Sequence, residues 1–176
     1  MRRHLQTSAL FLAVLGLFAA CARPPGLATF SSERRGFSIA YPTGWEIVRL
    51  TEDARVWFLP PGAARTPRSS AEFLFVLTEE QAGPLGDDEA RQRGLSLLPI
   101  HGVSGFRRFK EEQEAVWHRF EVTGSAQGAD WASVGLLVSG KKTLQYVVCA
   151  KPLDRWRDGQ KQCDEILKTF RAGPLS

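Results

Sequence analysis

The chain is poor in the side chains that soft-metal and redox chemistry depends on. Its 176 residues hold three cysteines, three histidines and, after Met1, no methionine. Without methionine a thioether copper site has no ligand. Cys-x-x-Cys is absent, which excludes a dithiol redox centre, and with it goes Cys-x-x-Cys-His haem attachment. Gly-x-Ser-x-Gly, the P-loop and G-x-G-x-x-G are missing too, so no nucleophile elbow or nucleotide loop is readable. His4 lies in the N-terminal segment. His101 and His118 are far apart without a close third ligand, and both read as surface or edge-strand histidines rather than metal ligands. The acid pairs Asp87-Asp88 and Glu111-Glu112 are adjacent in the chain, where side chains diverge, and read as helix capping and hairpin solvation. No catalytic residue, metal ligand or cofactor is assigned.

A long apolar run is also lacking. Leu10 to Phe18 is uncharged but shorter than the roughly 20 residues a membrane-spanning helix needs. It lies between the basic Met1-Arg2-Arg3-His4 and the small pair Ala19-Ala20, the pattern of an export signal. Phe18-Ala19-Ala20-Cys21 resembles a lipobox, with Phe where Leu is usual, so residues 1–20 read as a lipoprotein signal peptide and Cys21 as the acylated residue. The alternative is an ordinary cleaved signal with a chance cysteine. Acylation leaves Cys149 and Cys163 to pair in an oxidising compartment. We read them as a disulfide, against the alternative of two reduced thiols buried in the core. Ala22 rather than Asp after Cys21 resembles the outer-membrane sorting pattern of enterobacterial lipoproteins.

The chain as a whole, with 43% hydrophobic and 24% charged residues, suits one domain. Of 23 Lys and Arg, Arg2 and Arg3 lie in the signal, which leaves 21 against 19 acids and a net charge of +2. That balance argues against nucleic acid as a partner.

Residues 21–32 read as a linker and 33–172 as the domain. Phe37-Ser38-Ile39-Ala40-Tyr41, Trp45 to Val48, Val56 to Leu59 and Phe73 to Leu77 read as strands, the last buried on both faces. Pro60 to Ser70 is a polar, proline-rich loop. Residues 87–98 read as a helix opened by acids and closed by Pro99. Extended segments follow at about 103–110, 115–123, 130–139 and 142–150, with a hairpin turn at Gly140-Lys141. In the last of them Leu144, Tyr146, Val148 and Ala150 share one face, and Gln145, Val147 and Cys149 the other, so a sheet covered on both sides is expected. Leu153, Trp156, Cys163, Ile166, Leu167 and Phe170 form the apolar stripe of a final helix, interrupted by Gln160. Phe106-Arg107-Arg108-Phe109-Lys110 reads as one alternating strand, and most of the five tryptophans as core.

GFSIAYPTGWEIV (36–48) together with LQYVVCAKPLDRW…CDEILKTF (144–170) resembles the Mog1/PsbP-like family. The resemblance covers both ends of the domain, while 60–110 matches only in element order. It implies an α+β fold with a central antiparallel sheet flanked by helices on both faces. It also implies a Pro42-Thr43-Gly44 turn that returns Trp45 to the core. Such proteins are mostly non-enzymatic binding or accessory modules. The expectation is therefore a lipid-anchored accessory or binding module facing the periplasm, without catalytic activity, held at the outer membrane and docked to an unidentified protein partner. The alternative is a periplasmic small-ligand carrier with a pocket between sheet and helix.

Overall fold

The computed structural model describes residues 26–49, 55–63, 70–98, 100–112, 114–126 and 128–173. Cys21 and the signal segment lie outside the described residues, as do Pro99 and most of the 60–70 loop.

Among the described residues, ten strands and two α-helices run in the order β1 (Leu27–Ser32), β2 (Phe37–Pro42), β3 (Glu46–Arg49), β4 (Arg55–Leu59), β5 (Phe73–Glu80), α1 (Asp87–Ser96), β6 (Ile100–Glu112), β7 (Ala115–Ala126), β8 (Ala129–Ser139), β9 (Thr143–Pro152), α2 (Trp156–Lys168) and β10 (Arg171–Ala172). A 3-10 turn, Leu153–Arg155, precedes α2. Seven strands form one antiparallel sheet in the order β3-β4-β5-β9-β8-β7-β6, and a small sheet holds β1-β2-β10. The architecture is the expected α+β one.

The central strands β5, β9 and β8 are apolar on both pleat faces because both faces are covered. On one side Phe58, Leu74, Val76, Trp117, Val134, Val147 and Cys149 meet the small sheet and the Cys163, Ile166, Leu167 and Phe170 stripe of α2. On the other, Trp57, Phe75, Phe120, Trp131, Tyr146 and Val148 lie beneath α1 and the loop that leads into it. Trp57, Trp117 and Trp131 are core residues, while Trp45 and Trp156 are half-buried at its margin. Trp45 therefore packs on the core without entering it.

The sheet begins inside the stretch read as linker. Leu27–Ser32 pairs along its length with β2, although Phe30 alone among its residues is buried. Gln145 ties this small sheet to the large one: fully buried, it donates Nε2 to the carbonyls of Arg35 and Gly36 at 3.0 and 2.9 Å. The Pro42-Thr43-Gly44-Trp45 turn closes with Trp45 N donating to Pro42 O at 3.2 Å, and Gly44 takes the positive φ (87°) that its third position demands. Leu153 departs from its expected place on the helix stripe. It belongs to the 3-10 turn before α2, where the change of pitch swings it outward to 48% exposure.

Candidate functional site

Two constellations of polar side chains and one covalent link stand out from this apolar frame. The first pins α1. His118, on β7, is fully buried and stacks on Phe106 at a centroid distance of 5.3 Å. Its Nε2 lies 2.9 Å from Oδ1 of Asp87, the first residue of α1. Arg108 Nε donates to the same oxygen at 3.1 Å. An ionised carboxylate only accepts, so His118 carries its proton on Nε2, and Nδ1 is left buried without a partner. The reading of His118 as a surface or edge-strand histidine is thus corrected: β7 is the penultimate strand, and α1 covers this side of it. His101 is exposed, with Nε2 2.7 Å from Ser125 Oγ. The two histidines do not share a site, and the described residues contain no group of three metal-ligating side chains.

The hydrogen bonds from His118 and then Arg108 hold the Asp87 carboxyl below its ordinary range. A group lowered in this way contributes stability above its unfolded pKa of about 3.9 and loses that contribution as pH falls through the folded value. Asp87→Asn should accordingly flatten the acid limb of a stability-versus-pH curve below about pH 4. Thermal unfolding scans from pH 2 to 7 check this. An unchanged acid limb would show that Asp87 does not fasten α1. Beneath the helix, burial pushes the Tyr146 hydroxyl above its usual pKa, and that hydroxyl too has no partner.

The second constellation closes the far end of β9. Lys151 is 7% exposed and sits 2.5 Å from Glu72 Oε1, with Arg155 3.4 Å from the other oxygen. Its ammonium lies 5.2 Å from the Trp45 ring centre. Gly159 on α2 makes room for the lysine stem, since a Cβ there would stand 2.6 Å from Lys151 Cγ.

The third feature is covalent. Cys149 and Cys163 are joined by a disulfide with Cα atoms 5.4 Å apart, which links β9 to the buried stripe of α2. It is the pair that the three cysteines of the sequence suggest.

The basic stretch 106–110 lies on β6, the outermost strand of the large sheet. Three register breaks interrupt its alternation. Phe106 turns inward, Arg108 and Lys110 pair with acids, and Phe109 is 53% exposed. Between β5 and α1 a depression of about 370 Å³ is lined by Glu79, Gln81, Leu85, Glu89 and Arg93 among others. Its walls are mostly polar or charged, unlike those of an apolar ligand pocket. The space between sheet and α2 is filled by the core residues and the disulfide described above.

Neither family models nor curated protein sequences yield a match to this chain. Solved structures do. Cyanobacterial PsbP (CyanoP) from Synechocystis superposes with a TM-score of 0.58 at 17% identity, covering 84% of this chain and 92% of that one. The fold is PsbP-like. A protein from Bacteroides thetaiotaomicron matches 84% of the chain over 48% of its own length, with a TM-score of 0.54 and 15% identity. LpqN of Mycobacterium tuberculosis, described as involved in cell envelope biogenesis, has the same PsbP-like frame at a TM-score of 0.51 and 11% identity, covering 87% and 88%. At these identities the likeness concerns the fold. Neither the two polar constellations nor the disulfide carries an activity by virtue of it.

Proposed function

We propose that this chain is a lipid-anchored accessory module of a bacterial cell envelope, without catalytic activity of its own. Acyl chains on Cys21 hold it at the periplasmic side of the outer membrane, where it docks to a protein partner. The observation that carries this reading is the Cys149–Cys163 bridge. It uses two of three cysteines, fits an oxidising compartment, and leaves Cys21 as the remaining thiol beside the lipobox-like Phe18-Ala19-Ala20. The likeness to CyanoP and to LpqN supports an envelope setting. The apolar packing between sheet and α2 favours docking over the carriage of a small ligand. Tethering would act by raising the local concentration of a rigid domain near membrane partners.

Cys21→Ser tests the anchor. Metabolic labelling with a fatty acid should disappear, and the protein should move from the membrane fraction to the soluble periplasmic fraction. Labelling that persists in the variant overturns the proposal.

A further inference from the structure

We infer that one end of the domain, formed by the Pro42–Trp45 turn, the Leu153–Arg155 turn and the first residues of α2, rests on the lipid surface at headgroup depth. The inference depends on the anchor at Cys21.

The chain enters the fold at this end. Thr43 N donates to Gly26 O at 2.7 Å, and Leu27 is paired with Pro42, so the start of β1 lies against the turn. Trp45 follows the turn, with its ring beside Lys151, and Leu153 comes two residues later along the chain. The opposite end holds the β8–β9 hairpin, where Gly140 N donates to Thr143 O and Lys141 pairs with Glu114.

Reach decides between the two ends. Five residue steps separate Cys21 from Gly26. Fully extended at about 3.6 Å each, they span roughly 18 Å. The ten residues of β9 separate the two ends by about 30 Å, at a rise of roughly 3.4 Å per residue. A domain standing on its hairpin end would hold Gly26 about 30 Å above the bilayer, beyond the tether. The anchored end, or a flank next to it, must therefore face the lipid.

Surface chemistry selects the end itself. Leu153 is one of three large apolar side chains exposed among the described residues, the others being Val103 and Phe109 on β6. The same end carries the half-buried Trp45, next to Lys151, and Trp156 at the start of α2, amphipathic rings of the kind that settle at headgroup level. Arg155 and Arg157 are exposed and can keep their guanidinium groups in the wet zone while their stems lie flat. Glu46, Asp130, Asp154 and Asp158 are exposed at the same end and outnumber those two arginines, so the contact is apolar and aromatic and does not require anionic lipid.

The test uses the acylated full chain on phosphatidylcholine vesicles, with an environment-sensitive fluorophore on L153C or, as the control, on K141C. Both sites are exposed, so neither variant disturbs packing. On vesicles, iodide quenching at 153 should fall at least threefold relative to the unacylated Cys21→Ser chain, while quenching at 141 stays constant. A chain that floats with the vesicles yet is quenched equally at both sites overturns the orientation and leaves the anchor intact. A chain that does not float overturns both. Protection of 153 in native membranes but not on pure lipid would assign this end to a protein partner and overturn the lipid contact.

Discussion

Gly135→Ala should lower stability by about 3 kcal/mol, the upper end of what one misplaced methyl costs in a close-packed core. Gly135 pairs directly with Phe120 across β8 and β7. A Cβ at 135 would lie 2.1 Å from Phe120 Cζ and 2.7 Å from the Val147 carbonyl oxygen. The ring has nowhere to go. It stacks on Tyr146 at 5.1 Å and 9°, and on Phe106 at 6.3 Å, and is 1% exposed. The glycine is the hollow into which an aromatic ring on the neighbouring strand folds. Urea unfolding of the single and double variants checks this. Phe120→Leu removes the clashing ring atoms, so its loss and that of Gly135→Ala should fall short of additive by more than about 1 kcal/mol. Strict additivity would place the cost of the alanine elsewhere.

Removing the disulfide is the second large effect. The bridge closes a loop of sequence separation 14. Chain-entropy reasoning for about 15 residues gives roughly 3 kcal/mol. A Cys149→Ala, Cys163→Ala double variant should unfold at correspondingly lower denaturant, and the oxidised wild-type chain should lose a similar amount on full reduction. A difference below about 1 kcal/mol between oxidised and reduced protein would mean that the bond adds little to the packing of α2. Both sulfurs are fully buried, so the reduction must be carried through unfolding and refolding rather than in the folded state.

How much of this was legible in the sequence depended on whether the determining contact was local. Alternation in β9 and the continuous apolar run of β5 announced a sheet covered on both faces, because each residue's environment follows from the pleat. The α2 stripe was legible from Trp156 onward for the same reason. β1 and β10 were not. Each exists by pairing with β2, and neither has enough apolar residues to declare a face. His118 was misread because Asp87, its partner, is 31 residues earlier in the chain. The acids at the start of α1 suggested helix capping and a dipole effect, yet one of them is the acceptor that orients a buried imidazole. Of the candidate site residues, Cys149 and Cys163 were legible as a strand-to-helix pair with a short connection. Nothing local marked Lys151 as buried, since its acid comes from the approach to β5 and its aromatic neighbour from the turn after β2.

The irregular outer strand has a consequence for crowding. Molecules confined to a plane meet far more often than molecules in bulk, and a flat strand left unpaired would let each copy zip onto the next. β6 is thirteen residues long but breaks step three times against β7, which interrupts the evenly spaced row of donors and acceptors that such zipping needs. At the other margin β3 is only four residues long. Anchored as proposed, these molecules would sit side by side in a densely populated leaflet without polymerising.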